Sequence, residues 1–226
     1  MMFDIGMYVL VAIISYLLGS IPFGLLISRR SARTDIRQVG SGRTGATNVL
    51  RTAGKKAAAL VLILDLAKGA VAVIIAGLIS GGAHPPGGGP LFMFHSAQAL
   101  AGLAAIAGHS WPVFVKFRGG RGVATFLGAL VVMTWPVAIF GGVVMIIVAG
   151  TSRYMSLGSI TGAAAAFIVL IPLVILMGFP VEYLVFTFIT AVFITVMHRD
   201  NISRLRAGTE HKLGEKVKAE SPPAAG

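Results

Sequence analysis

The 226-residue chain contains no cysteine. That excludes disulfides, a thiolate nucleophile and any cysteine-ligated zinc or iron–sulfur centre. Charge is also scarce: Asp, Glu, Lys and Arg make up 12% of the residues, about half the share of a soluble domain. Acidic residues are the scarcer sign, 8 against 19 Lys and Arg. No pair of carboxylates shares an apolar run, so no zinc or magnesium site is expected within the membrane. No Walker A run occurs. Gly40-Ser41-Gly42 lacks the strand and βαβ context of a dinucleotide fingerprint. What fills the chain is apolar, 56% hydrophobic with a mean hydropathy of +0.86. This composition is that of an integral membrane protein. A net charge of +11 on a soluble domain would suggest nucleic acid. Here the cations lie in short loops and a tail, where topology, anionic lipid and anionic substrates account for them. No nucleic-acid partner is expected. Asp4 stands where a signal peptide carries basic residues, and the apolar run after it is too long, so no cleaved signal is expected.

Apolar runs follow one another at about Ile5 to Ile27, Ala57 to Ser80, Leu91 to Val115, Val123 to Gly150, Leu157 to Gly178 and Val181 to Met197. Each is long enough to approach or cross a hydrocarbon core of ~30 Å. The run from Val123 can be one long span or two short ones divided at Trp135-Pro136. With two, the chain crosses seven times, and every Lys and Arg except Lys68 falls on one face. The positive-inside rule favours that arrangement. The sequence therefore predicts an all-α, polytopic protein with seven transmembrane helices, an external N-terminus and a cytoplasmic C-terminus. Residues 1–211 form one domain. Residues 212–226 are polar, rich in Ala and Pro, and read as a disordered tail. The Gly/Pro-rich stretch 81–90 reads as an external loop. Asp65 and Lys68, three apart inside an apolar run, share a helix face and can pair. A charge at that depth costs about 2.5–3.5 kcal/mol on insertion scales, which suggests either a functional role or a structural ion pair.

Three polar stretches fall on the cytoplasmic side. The first is Gly40-Ser41-Gly42-Arg43-Thr44-Gly45-Ala46-Thr47-Asn48-Val49-Leu50-Arg51. Its glycines permit tight turns whose backbone N–H groups can form an anion-binding concavity. Ser41, Thr44, Thr47 and Asn48 add neutral partners, and Arg43 and Arg51 add forked cations. Asn48 suits a helix cap equally well. The second stretch, Gly108 to Thr125, holds Lys116, Arg118 and the run Gly119-Gly120-Arg121-Gly122. These glycines bind an anion or simply end a helix. The third, His198 to Glu210, offers a titratable imidazole, Asn201 and Arg204. Glu210 is there a substrate contact or a salt-bridge partner of Arg204 or Lys212. Ser156 and Arg153 belong to the same face. Separated segments that each bring anion donors point to a phosphorylated substrate held at the membrane surface. The His-x-x-x-x-Asp spacing of the well-known glycerolipid acyltransferases is absent.

At these stretches the chain resembles the bacterial acyl-phosphate:glycerol-3-phosphate acyltransferases, the PlsY family. The resemblance runs from Ser15 through Glu210. It rests on Gly-Ser-Gly-x-x-Gly-Ala-Thr-Asn-Val-Leu-Arg, on Gly-His-x-x-Pro-x-Phe-x-x-Phe-x-Gly-Gly-[Lys/Arg]-Gly-Val-Ala-Thr and on His-x-x-Asn-Ile-x-Arg-Leu-x-x-Gly-Thr-Glu. The family usually has Asn, then Pro or Leu, where this chain has Arg43 and Thr44. It usually has Lys at Arg121. The resemblance implies seven membrane helices and transfer of an acyl chain from acyl phosphate to the 1-hydroxyl of glycerol 3-phosphate, giving lysophosphatidic acid and phosphate. It implies His198, Ser41, Arg51 and Arg121 as catalytic. Gly40, Gly42, Arg43, Thr47, Asn48, Gly119, Gly120, Gly122, Ser156, Asn201, Arg204 and Glu210 would bind substrate. No cofactor and no metal are implied. The expected setting is the bacterial inner membrane, with the active site cytoplasmic. The chain would act as a monomer, linked functionally to the enzyme that forms acyl phosphate. The attacking hydroxyl can lose its proton to His198 or to the donor's own phosphate. The other readings are a transporter or exchanger of phosphorylated metabolites, and a non-catalytic lipid-binding scaffold.

Overall fold

The computed structural model describes residues 2–82 and 91–215. Most of the stretch read as an external loop, and residues 216–226 of the tail, lie outside the described residues. Among the described residues the chain is helical, with no strand: α1 Met2–Gly19, α2 Phe23–Ala32, α3 Ala46–Gly82, α4 Leu91–Ser110, α5 Val123–Ser152, α6 Met155–Met177, α7 Val181–Met197 and α8 Arg199–Arg206. Short 3-10 turns occupy Ile36–Gln38 and Val113–Val115.

Three breaks matter. The first apolar run is two helices, α1 and α2, parted at Ser20-Ile21-Pro22. α3 begins at Ala46 rather than near Ala57, with a non-helical residue at Gly54 (φ 83°, ψ 179°). Arg51, Lys55 and Lys56, read as loop cations, are thus helical. α5 breaks at Thr134 (φ −160°, ψ 84°), next to the Trp135-Pro136 division seen in the sequence. Pro136 has no N–H to offer and its ring crowds the preceding turn. Four segments are long and apolar enough to cross a membrane: Ile5–Ala32, Ala46–Gly81, Val123–Ser152 and Met155–Met177. A fifth candidate is α7 with α8, bent by 57°.

The core lies between α5, α6 and α7, where Phe126, Leu130, Leu170, Phe186 and Ile194 are buried. Phe126 and Phe186 meet with ring centroids 5.7 Å apart. The apolar side chains that remain outside are large: Ile146 is 68% exposed, Ile175 73% and Leu176 78%. Water would not tolerate such a surface, whereas lipid would. The chain is a multi-pass membrane protein.

Lipid supplies no hydrophobic drive between helices, so close packing holds them together. α3 and α5 approach until a Cβ on Gly128 would strike the Leu66 carbonyl. Gly128→Val therefore overpacks this contact by about 1–3 kcal/mol. Its midpoint of thermal unfolding in detergent falls below that of the parent chain.

Candidate active site

The first polar stretch is held by its neighbours before any ligand is present. Asp35 caps the 3-10 turn by accepting from the Arg37 N–H. It also receives Arg37 and Arg29 at 2.7 and 2.9 Å. The Arg37 hydrogen bond, chiefly, holds the Asp35 carboxyl well below the usual carboxylate range. Ile36, fully buried against Leu25 and Val49, fixes the other side. The loop then folds over Asn48. Asn48 Nδ2 faces the carbonyls of Val39, Arg43 and Ile36 at 2.9, 3.0 and 3.1 Å, and Oδ1 accepts from the Ser41 N–H at 3.3 Å. Asn48 thus spends its polar atoms on the loop. Gly40 (φ 62°) passes so close to Asn48 Oδ1 that a Cβ would overlap it.

The second stretch folds back onto the end of α4. Gly119 and Gly120 donate their N–H groups to the carbonyls of Ser110 and His109 at 3.2 and 3.0 Å. Those carbonyls are among the unpaired groups at a helix C-terminus. A Cβ on Gly120 would overlap His109 Nε2. Gly122 (φ 82°) is the cap of α5, so Arg121 is set at the start of that helix. The third stretch begins at the 57° bend between α7 and α8. His198 Nδ1 lies 2.8 Å from the Ile194 carbonyl. A carbonyl can only accept, so Nδ1 carries the hydrogen and Nε2 is left as an acceptor.

A cavity of about 390 Å³ joins the three stretches. Ser41, Arg43, Thr47, Asn48, Arg51, Arg121, Gly122, Ser156, His198, Asn201, Arg204 and Glu210 all line it. Gly40, Gly42, Gly119 and Gly120 do not; they shape the loops behind its wall. Arg118, a candidate anion donor in the sequence, is exposed and outside the cavity. The first turns of α3 (Ala46, Thr47), α5 (Val123, Ala124) and α6 (Met155, Ser156) contribute to the lining. Helix N-termini carry partial positive charge and unpaired N–H groups, which suit an anion. Leu50, Leu62, Leu127, Met145 and Ile146 add an apolar wall. Leu62 and Ile146 are 42% and 68% exposed on the outer surface. The cavity thus has a cationic end and an apolar wall continuous with the lipid-facing side.

Inside it, the polar groups divide into spent and unspent. Glu210 Oε1 accepts from Ser156 Oγ at 2.9 Å and Asn201 Nδ2 at 2.5 Å, and Oε2 accepts from Arg204 Nε at 2.8 Å. Burial raises the Glu210 pKa, but these three donors outweigh it and leave it below the ordinary value. Glu210→Gln removes the acceptor charge and costs stability by about 1.5–3 kcal/mol. The parent chain's advantage is present above pH ~4.5 and lost as pH falls through the lower folded value, so parent and variant melting points converge in acid.

Asn201 Oδ1 and Arg121 Nε, by contrast, are buried with no partner. Arg121 has no carboxylate within salt-bridge distance among the described residues; nor do Arg43 and Arg51. Burial, with the nearby Arg43 charge, lowers the Arg121 pKa to about 10, still charged at neutral pH. Burial, with Arg121 beside it, lowers His198 to about 4, so the ring is neutral there. The cavity therefore offers a half-buried guanidinium without a carboxylate in salt-bridge distance and two acceptors suited to hydroxyl groups. Two lining residues went unread in the sequence as a site pair, Asp65 and His109. They come from α3 and α4 and have no motif in common.

The glycerol-3-phosphate acyltransferase family model matches residues 9–208. The chain belongs to that family. The glycerol-3-phosphate acyltransferase 3 of Dehalococcoides mccartyi (strain CBDB1) is 57% identical over 214 residues, 95% of this chain and 99% of its own length. The glycerol-3-phosphate acyltransferase of Dinoroseobacter shibae is 41% identical over 212 residues, 93% of this chain and 95% of its own. Among solved structures, the glycerol 3-phosphate form of PlsY (YgiH), an integral membrane glycerol 3-phosphate acyltransferase, superposes with a TM-score of 0.78 at 38% identity. That match covers 92% of this chain and 96% of PlsY. The lysophosphatidic acid form of PlsY gives 0.77 at 37% identity. The family match thus covers the first two polar stretches and the third as far as Gly208. It includes both helices that bring Asp65 and His109 to the cavity.

Proposed function

We propose that this glycerol-3-phosphate acyltransferase takes its acyl group from acyl phosphate and transfers it to the 1-hydroxyl of glycerol 3-phosphate. The products are lysophosphatidic acid and inorganic phosphate. One observation carries the reading: half-buried Arg121, whose Nε is buried without a partner, faces a cavity that also holds Arg43 and Arg51 and is apolar on its lipid side. A charge so placed calls for a counter-ion, and a substrate phosphate supplies it.

Ser41, Arg51 and Arg121 hold phosphate, with Arg43 and the helix N-termini adding positive potential. His198 Nε2 and Asn201 Oδ1 accept from glycerol hydroxyls. Glu210, through Ser156, Asn201 and Arg204, holds the third stretch in place. The fatty chain lies along Leu62, Met145 and Ile146. The hydroxyl oxygen attacks the acyl carbonyl carbon and the carbon–oxygen bond to phosphate breaks. The phosphate leaves with the hydroxyl proton. An imidazole that titrates near 4 is a weak base. The leaving phosphate gains charge as its bond breaks and is the stronger acceptor. His198 then aligns the nucleophile, and alignment with charge neutralisation supplies the rate. No covalent enzyme intermediate is needed, because acyl phosphate is already activated.

The proposed topology is seven crossings, with α5 counted as two short spans at Thr134, the N-terminus external, and the site on the cytoplasmic side of the bacterial inner membrane. It rests on the one-sided distribution of Lys and Arg. The chain works without cofactor or metal and as a monomer, downstream of the enzyme that forms acyl phosphate.

The assay is phosphate release by purified protein in detergent, given acyl phosphate and glycerol 3-phosphate. Turnover without a sealed membrane supports the enzyme and excludes a pure transporter. Turnover with acyl-CoA but none with acyl phosphate overturns the donor.

A further inference from the structure

In the cavity wall lies an ionic cluster that the reaction above does not use. Asp65 and Lys68 of α3 are 2% and 5% exposed, and His109 of α4 is 6% exposed. Lys68 Nζ lies 2.8 Å from Asp65 Oδ1, and His109 Nδ1 lies 3.5 Å from the same oxygen. Lys68 Nζ also donates to the Ile21 carbonyl at 3.3 Å, a group exposed by the break between α1 and α2. It stands over the Phe23 ring at 5.8 Å. The cluster therefore ties three helical segments to one carboxylate.

A buried ion pair is a poor way to gain stability. Apolar residues of similar volume commonly do as well or better. Burying both charges at membrane depth asks for another reason. The geometry supplies one on the far side of His109. Its imidazole is pressed against Gly120, leaving no space there for a Cβ. Its own carbonyl receives the Gly120 N–H at 3.0 Å. Gly120 is joined directly to Arg121, the guanidinium without a counter-ion. The ring is thus the seat on which the Gly119-Gly120-Arg121 turn is laid. Asp65 is the only carboxylate among the described residues within salt-bridge distance of that ring.

We propose that Asp65 and His109 are positioning residues of the acyl transfer: Asp65 orients the His109 imidazole, and the imidazole fixes the glycine turn that aims Arg121 into the cavity. Lys68 neutralises Asp65 at the same oxygen and anchors it to the α1–α2 break. Neither Asp65 nor His109 has to touch the reacting atoms. A ring released from Asp65 can tilt, the Gly120 backbone moves with it, and the guanidinium loses its aim. Misplacement by about 1 Å can cost about 10²-fold in rate.

The inference rests on the phosphate-binding role of Arg121 given above, and the test separates the two. Asp65→Asn alone would strand the Lys68 charge, so the first variant is D65N/K68M, which removes the pair as a unit. His109→Gln is the second. Each is made in the parent chain and in an Arg121→Ala background. The readouts are kcat/KM for glycerol 3-phosphate at saturating acyl phosphate and the melting temperature of the purified protein. In the parent background each variant should lower kcat/KM about 10- to 10²-fold. With Arg121 already removed, the same change should cost less than about threefold, because the side chain it positions is gone. Equal losses in both backgrounds, or none in the parent, overturn the inference and leave the cluster a structural staple. Failure of both variants to yield folded protein overturns it as well. If the parent chain itself releases no phosphate from acyl phosphate, the proposed donor fails, and that result is read before any variant is made.

Discussion

Arg121→Ala lowers kcat/KM for phosphate release on the order of 10²–10³-fold, the range seen when one charge-stabilising donor is lost from a preorganised site. The size follows from the environment. The side chain is half-buried, its buried Nε has no protein partner, and Arg43 beside it disfavours its charge. In the free protein that arrangement is unfavourable. A bound phosphate reverses it, because attraction in a site shielded from water exceeds the same attraction at a surface. Arg121→Lys keeps the charge and loses the two-pronged geometry. The charge is what the phosphate needs first, so this variant retains most activity, within about tenfold of the parent. Arg118→Ala is the control: the side chain is exposed and outside the cavity, and its rate stays within about twofold, as for surface changes away from a site. Steady-state phosphate release on the four proteins checks the series.

The second large effect is at His198. His198→Ala lowers kcat about 10²-fold, at the lower end of what a positioned proton-handling group contributes. His198→Gln, which keeps an acceptor near the Nε2 position, recovers part of that loss. The pH profile says why. The folded ring titrates near 4 instead of 6.5, so it is neutral and accepting across pH 5.5–8. No limb of kcat/KM near 6.5 belongs to His198. A limb near pH 6 does appear, from the second ionisation of a substrate phosphate, and it persists in His198→Gln. Stability carries the same signature with a definite sign. The unfolded chain takes up a proton on His198 near 6.5 and the folded chain only near 4. This residue therefore weakens the fold progressively as pH drops through that interval. In His198→Gln that part of the acid sensitivity is gone, which thermal unfolding at pH 4.5 and 7 detects.

The site was largely legible before any fold was known, because the chemistry was concentrated. Arg43, Arg51, Arg121, His198 and Asn201 stand in short polar islands within an apolar chain. One-sided placement of cations brought the islands to one face. What sequence could not give was which polar atoms are already spent. Asn48 and Glu210 look like substrate ligands in a row of letters, yet one organises the first loop and the other gathers Ser156, Asn201 and Arg204. Only distances separate such residues from Arg121, whose Nε has nothing to bind. The helix start at Ala46 was hidden by Arg51, Lys55 and Lys56, whose charges read as loop. The buried side of that turn, Val49 against Leu25 and Ile36, is long-range packing that local composition does not carry. α8 was missed for a similar reason, since a short polar helix has no apolar run to announce it. Asp65 and Lys68 were visible as a pair by their spacing. The third member, His109, is 44 residues from Asp65 in the sequence, and no periodicity links α3 to α4. The break at Thr134 was readable from the proline beside it, Pro136.

The most direct measurement compares glycerol 3-phosphate with glycerol as acceptor for the purified chain, at fixed acyl phosphate. If Arg43, Arg51 and Arg121 exist to neutralise phosphate, deleting the acceptor's dianion forfeits several charge-assisted contacts, each worth about 1.5–3 kcal/mol. The result predicted is a drop in kcat/KM on the order of 10³-fold or more with glycerol, much reduced in Arg121→Ala. Equal use of the two acceptors would contradict the account.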